Sequence, residues 1–328
     1  MDSFNILFTS VGRRVSLVKH VVQTLMELGV PGQVVTADLQ TTAPAGFVGH
    51  IRELVPRVTD PAYIPRLLEL CVRHDIKLLI PLIDTELQVL AEHREAFAAI
   101  GVTALVSSPE AVRLSGDKRL TAAFFARIGV GTPRLYEPEA VLADPQAAYP
   151  LLMKPADGSC SVGVTRIRNA RELDFFRDYI DNPLLQEYVQ GQEYTIDVLL
   201  DFAGRARAAV PRLRMETRGG EVSKGMTVKH PGLIEAALRI AEALPGAVGC
   251  ITIQGFLTAA GELKFIEINP RFGGGFPLAL GAGADFPKWL ICWLLGREVP
   301  DDLQGWRDGT VMLRYDDAVF VEKEDIAR

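Results

Sequence analysis

Residues 261–275 of the 328-residue chain read GELKFIEINPRFGGG, and in them Glu267, Asn269 and Arg271 occupy alternate positions. Successive side chains of a strand point to opposite faces, so Glu267 and Asn269 share one face and Ile266 and Ile268 the other. Two oxygen-bearing side chains with a guanidinium just beyond them suit a hard cation beside a phosphate. A solvated strand face is the plainer alternative. Upstream, CITIQGFL (250–257) reads as a partner strand, and Ala260-Gly261 marks the hairpin turn between them. An even-length loop pairs Thr258 with Leu263 and therefore Gln254 with Glu267, on one face and about 4.5–5.5 Å apart. Gln254, Glu267 and Asn269 then converge as oxygen donors of the kind magnesium takes, its other positions going to water and substrate phosphates. An odd loop would break this register.

Four other stretches could serve the same chemistry. MKPADGSCSVG (153–163) sets Lys154 at a strand end before Gly158, Ser159, Ser161 and Gly163, small residues that let backbone N–H groups approach phosphate oxygens. It matches neither a P-loop nor a dinucleotide fingerprint, and a hairpin tip is its structural reading. SGDK (115–118) puts Lys118 at a helix start, where anions bind, or simply caps that helix. In LLQEYVQGQEYTIDVLL (184–200), Glu187, Tyr188 and Val189 end one strand and Glu193 opens the next. A backbone edge with an apolar slot suits an adenine and a carboxylate beyond it suits ribose hydroxyls, although two solvated glutamates at a turn would look the same. VPRLRMETRGGEVSKG (210–225) places Arg212, Arg214 and Glu216 on one strand face, followed by a loop with Glu221 and Lys224. Paired arginines suit a carboxylate or phosphate, or else a cross-strand ion-pair ladder.

The elements that must position these residues fall into two patterns. Up to about residue 108, strands (4–9, 33–39, 77–83) alternate with helical periodicity, which indicates a parallel sheet covered by helices. Ligands of such sheets sit at strand carboxyl ends, here Ser10–Arg14, Asp38 and Asp84–Glu86. Beyond residue 108 strands dominate, interrupted by helices at KRLTAAFFARIG, RELDFFRDYI and PGLIEAALRIAEAL. WLICWLLG (289–296) is too short to span a bilayer and reads as a helix in the core or at a homodimer interface.

Composition bounds the function classes. A hydrophobic content of 48% with 23% charged residues is ordinary for a globular chain, and 328 residues imply two or three subdomains. A net charge of −6 argues against a broad nucleic-acid or anionic-membrane surface. The four cysteines lack metal-site spacing, and MDSFNILFTSVGRR reads as a first strand instead of a signal peptide, so a cytoplasmic protein with reduced thiols is expected.

Taken in order, SGDK, LMKPADGSCSVGV, QEYVQGQEYTIDV, Gln254 and EINPR resemble the ATP-grasp superfamily over residues 108–290. The nearest pattern is that of the synthetase halves of the carbamoyl phosphate synthase large subunit and of stand-alone carboxylate–amine ligases. The resemblance implies an α/β chain with a Rossmann-like pre-ATP-grasp domain (1–108). The ATP-grasp fold follows, its N-terminal part with a glycine-rich lid (109–187) and its C-terminal part with the metal site (188–328). It further implies that Lys118 and Lys154 contact ATP phosphates under the lid residues Gly158, Ser159, Ser161 and Gly163. Glu187, Tyr188 and Val189 would line adenine, and Glu193 would hold ribose. Gln254, Glu267 and Asn269 would bind Mg2+, with Mn2+ as the alternative ion. Arg271, Lys154 and Arg214 would serve the transferring phosphate, and Arg212, Arg214 and Arg271 would grip the acid. The implied reaction activates a small carboxylate as an acyl phosphate for attack by an amine. A phosphotransferase and a non-catalytic nucleotide binder are the competing readings. One synthetase half alone makes simple carbamoyl phosphate production an unsuitable assignment.

Overall fold

Asn5–Thr9 (β1) is buried along its whole length, which a strand achieves only with layers packed on both faces. A computed structural model, describing residues 3–157 and 163–326, supplies those layers. With β2 (Val34–Asp38), β3 (Ile51–Leu54), β4 (Ile76–Pro81) and β5 (Thr103–Ala104), β1 forms a parallel sheet ordered β3-β2-β1-β4-β5. Ile6 and Phe8 pack into one core and Leu7 into the other, as period two requires. The short strands β3 and β5 escaped the sequence reading, because every residue of β3 is only half-buried and β5 has two residues. The helical run after β4 breaks at His93 into Asp84–Glu92 and Arg94–Ala99, and Pro109–Gly116 adds a helix not foreseen.

Two further sheets follow. Leu135–Tyr136 (β6), Leu151–Pro155 (β7), Thr165–Ile167 (β8) and Pro183–Glu187 (β9) form a four-stranded antiparallel sheet ordered β6-β9-β7-β8. The larger sheet comprises Gly191–Leu200 (β10), Ala206–Arg218 (β11), Glu221–Thr227 (β12), Gly249–Thr258 (β13), Leu263–Asn269 (β14) and Val311–Leu313 (β15). Its order is β14-β13-β10-β11-β12-β15. Segment 221–227, expected to be loop, is therefore a strand. Helices Lys118–Arg127 and Pro231–Ala243 bury Phe124, Phe125, Leu233 and Ile240 against one face of this sheet.

The chain after β14 returns to the parallel sheet. Phe272, Phe276, Phe286 and Trp289 share one apolar cluster with Ile6 and Phe8, and successive rings lie 4.8, 5.3 and 5.7 Å apart. Helix Phe286–Leu294, which carries most of WLICWLLG, thus packs most of its residues into the chain's own core. This packing brings the loop after β14 against the carboxyl ends of β1 and β4.

The hairpin β13–β14 departs from the expected pairing in an informative way. Leu257, not Thr258, faces Leu263, so the loop 258–262 is odd. Gln254 nevertheless faces Glu267, because the register shifts between Gln254 and Gly255. Gly255 opposes Phe265, and Ile266 is the extra residue of a β-bulge. A Cβ on Gly255 would stand 2.9 Å from the Phe265 ring, so the glycine permits the close approach. Phe265 and Ile268 are both in the core, whereas Ile266 is half-buried and faces the same side as Glu267. The expected grouping of Ile266 with Ile268 is therefore corrected: a bulge sets aside strict alternation for one residue.

This geometry separates two isoleucines two positions apart. Ile268→Ala should cost about 2–5 kcal/mol of unfolding free energy, and Ile266→Ala should cost less than about 1 kcal/mol, by denaturant titration. Equal losses would mean that the bulge is absent.

Candidate active site

A cleft of about 620 Å³ opens between the four-stranded and six-stranded sheets. From the four-stranded side come Leu152 and Lys154 of β7, Arg166 of β8 and Gln186 of β9. Leu152 lies opposite both Arg166 and Gln186, so these three form one row across the sheet. Tyr188, Val189, Gln190 and Gly191 make the connection between the sheets, and the Arg166 guanidinium lies 4.6 Å from the centre of the Tyr188 ring. The other wall carries Glu193, Phe256, Gln254, Ile266 and Glu267, with Lys118 at one end. Glu193 pairs with Phe256 and Gln254 with Glu267, so two cross-strand rows face the cleft.

Of the sequence-predicted residues, Lys118, Lys154, Tyr188, Val189, Glu193, Gln254 and Glu267 meet here. Lys118 opens its helix after the Asp117 N-cap, and its Nζ reaches the Ala156 carbonyl at 3.4 Å. Lys154 is buried at 5% exposure. Burial, aided by Lys118 and opposed by Glu267, lowers its pKa to about 8. An ammonium in that position is costly until an anion arrives. Burial acts in the opposite direction on Glu193, raising its pKa, with Arg214 opposing the shift and Glu267 adding to it.

Four predicted residues sit beside the cleft. Glu187 points away from it, paired with Lys264 and accepting from Arg134 N at 3.2 Å. Burial raises its carboxyl pKa, yet these partners outweigh burial and the net direction is down. Asn269 donates to Glu267 Oε1 at 3.0 Å and turns its own oxygen toward Arg271 Nη2, 3.5 Å away. Arg271 forms an ion pair with Asp84, which opens the helix after β4, so the first domain does reach this region. Arg214 stands behind Glu193, its Nε 3.2 Å from Oε1 in a geometry too bent for a hydrogen bond, while Nη2 donates to the Gly220 carbonyl at 2.9 Å.

Arg212 corrects the sequence reading. It is 1% exposed, lines no part of the cleft and engages Asp197 through two hydrogen bonds of 2.6 and 2.9 Å, while its Nη1 has no hydrogen-bond partner among the described residues. Glu86 is corrected too: it is buried, accepts from Leu82 N and Ile83 N, and takes Tyr63 and Ser10 hydroxyls, closing the start of its own helix. Asp38 steadies the loop after β1 by accepting from Gly12 N at 2.8 Å. Gly163 adopts φ 73° next to Pro155, whereas Gly158, Ser159 and Ser161 lie outside the described residues. The sequence reading missed Gln186, Arg166 and Phe256, whose only signal is alternation with core residues on strands whose pairing was unknown.

Among the described residues no trio of His, Cys, Asp or Glu is grouped as metal ligands. A cation here would rest on the Glu267 carboxylate and the oxygens of Gln254 and Asn269. That donor set is hard, and register joins Gln254 to Glu267, which fits a magnesium-like ion; Asn269 would complete it by turning its amide oxygen from Arg271 to the cation.

Comparison with known proteins agrees with this architecture. Residues 6–105 match the family described as PylC-like, N-terminal domain, and residues 180–316 match ATP-grasp in the biosynthetic pathway with Ter operon. The chain has an ATP-grasp fold. It is 27% identical to a D-alanine–D-alanine ligase of Fusobacterium nucleatum over 166 residues, covering 48% of this chain and 56% of that protein. It is 29% identical to a 3-methyl-D-ornithine–L-lysine ligase of Methanosarcina mazei over 174 residues, covering 52% and 42% respectively. The chain thus spans about half the length of these curated relatives. The biotin carboxylase domain of Hydrogenobacter thermophilus 2-oxoglutarate carboxylase, solved with MgADP, ADP and bicarbonate, superposes with a TM-score of 0.75 at 19% identity. That match covers 95% of this chain and 74% of that one, and it shows the fold. Among the described residues of this ATP-grasp chain, no helix is long and apolar enough to cross a membrane.

Two stability measurements test the electrostatics. Asp197→Ala should cost about 3–5 kcal/mol by leaving the buried Arg212 charge uncompensated, and replacing both partners by apolar residues should cost less. Lys154 has a folded-state pKa below its ordinary 10.5, so its penalty is fully present below about pH 8 and fades as pH rises toward 10.5. Lys154→Met should therefore stabilise the protein by about 1–3 kcal/mol at pH 7, an advantage that shrinks steadily toward pH 10 in urea titrations.

Proposed function

We propose that this protein of ATP-grasp fold is an ATP-dependent carboxylate–amine ligase that activates a small acid as an acyl phosphate and releases ADP and phosphate. The observation that carries the reading is the meeting of Lys118, Lys154 and Glu193 with the Gln254–Glu267 pair around one cleft. ATP fits that cleft with its base at Tyr188 and Val189, its ribose at Glu193 and its phosphates toward Lys118 and Lys154. Glu187 supports this slot indirectly, since Lys264 neutralises it. Gln254, Glu267 and Asn269 would hold Mg2+ or Mn2+, which when bound neutralises phosphate charge.

A carboxylate oxygen attacks the γ-phosphorus, the bond to the β,γ-bridging oxygen breaks, and ADP leaves. The amine then adds to the acyl carbon, the carbon–oxygen bond to phosphate breaks, and the amine's proton passes to solvent. The chain's share is positioning and charge neutralisation by Lys154, Arg271 and the strand that carries Glu267. Arg271 fits the transferring phosphoryl group, and Arg214 contributes by holding Glu193. Lid residues Gly158, Ser159, Ser161 and Gly163 would exclude water. We assign the domains as 1–108, 109–187 and 188–328: β5 ends at Ala104, β9 at Glu187, and β10 begins at Gly191. Small-molecule acid and amine substrates and a cytoplasmic setting complete the proposal.

The test is a hydroxylamine trap with ATP, Mg2+ and a panel of carboxylic and amino acids. Acid-dependent hydroxamate and ADP are expected, and Glu267→Ala should lower turnover by at least about 100-fold with the fold intact. ADP without hydroxamate for every acid would shift the assignment to phosphotransfer. Undiminished turnover in Glu267→Ala would overturn the metal role.

A further inference from the structure

A second set of charged groups stands where the parallel sheet meets the six-stranded sheet, and none of it lines the nucleotide cleft. The loop after β1 brings Arg13 and Arg14, β12 brings Glu221, and the residue following β15 brings Arg314. Arg314 Nη1 lies 3.3 Å and Arg13 Nη2 3.7 Å from Glu221 Oε2. Gly274, in the loop that carries Arg271, admits two of these groups to its backbone. A Cβ there would stand 2.6 Å from Arg14 Nη1 and 2.8 Å from Glu221 Oε1.

The balance of charge at this junction is positive. Three guanidiniums face the single Glu221 carboxylate, and Asp84 is already committed to Arg271. The Arg14 guanidinium donates no hydrogen bond among the described residues and feels Glu221 and Asp84 only through space. Burial and the nearby Arg271 lower its pKa to about 10. Helix Val15–Glu27 begins at Arg14 without a side-chain cap, adding the positive end of its dipole. A half-buried guanidinium beside another, with no protein acceptor among the described residues, is an arrangement that an anionic ligand relieves.

Two anion-seeking ends follow, one at Arg271 beside the Glu267–Asn269 strand, whose buried Nε has no hydrogen-bond partner among the described residues despite the Asp84 ion pair, and one at Arg14 and Arg314. A monocarboxylate satisfies only the first. Resting on the ligase reading above, we propose that the acid substrate is at least doubly anionic. One carboxylate is activated beside Arg271, and a second anionic group, carboxylate or phosphate, is held by Arg14 and Arg314. This replaces Arg212 as the gripping residue.

Binding measurements on the full chain without nucleotide test this apart from turnover. Calorimetry and thermal-shift titrations would compare the dicarboxylates malonate to adipate, and 3-phosphonopropionate, with monocarboxylates of matched length. At least one dianionic probe should bind about tenfold or more tighter than its monocarboxylate match and raise the unfolding temperature accordingly. Dicarboxylate or phosphonate preference identifies the second group. Arg14→Gln and Arg314→Gln should each remove the preference while ADP affinity stays within about twofold of wild type, which also checks folding. No dianionic preference in wild type, or a preference kept by both variants, overturns the proposal. Hydroxamate formed only from monocarboxylates would overturn it and leave the ligase reading standing. Dianion preference that depends on Arg14 and Arg314, without acid-dependent ADP, would keep the second anion site and overturn the ligase reading and with it the substrate assignment.

Discussion

The candidate site depends on one backbone irregularity, the bulge at Ile266 in the β13–β14 hairpin. With an odd loop and regular pairing, Leu257 opposite Leu263 would carry Gln254 opposite Ile266. Inserting one residue restores Gln254 opposite Glu267, keeps Phe265 and Ile268 in the core, and leaves Ile266 as an apolar patch of the cleft wall. Gly255 is what makes the insertion sterically possible. Core packing and the polar row are thereby satisfied on the same strand.

Around that strand the protein handles charge in two ways. Asp197 and Arg212 are buried as a pair joined by two hydrogen bonds, which fixes β10 against β11. Lys154 and Arg14 are held with their charge incompletely compensated, and burial lowers the pKa of each. The second arrangement weakens the free protein and strengthens binding of anions, because a ligand supplies the partner that the fold withholds. Stability and binding are in opposition at Lys154 for this reason.

Aromatic packing connects the two halves. Phe272, Phe276, Phe286 and Trp289 anchor the end of the ATP-grasp region to the first parallel sheet. The loop between β14 and that anchor therefore lies against the ends of β1 and β4, where Arg271 meets Asp84 and Gly274 meets Arg14. The region assembled this way draws charged groups from both halves, Arg14 and Asp84 from the first and Arg271 from the second.

Much was legible in the sequence alone. Alternating strand and helix periodicity indicated the parallel sheet, and the order of SGDK, the lysine–glycine segment, QEYVQGQE and EINPR indicated the ATP-grasp fold and seven residues of the cleft wall. These features are local, set by period and by residue type at fixed spacing. What only the tertiary structure decided depends on distant partners. Arg212 and Arg214 look alike in sequence, yet one is locked by Asp197 across a strand pair and the other backs Glu193. Glu187 reads as a ligand until Lys264, on a strand far along the chain, neutralises it. Arg14, Glu221 and Arg314 come from three separate segments and become a group only when the sheets pack, since charges act over ångströms of space and carry no mark of that distance along the chain.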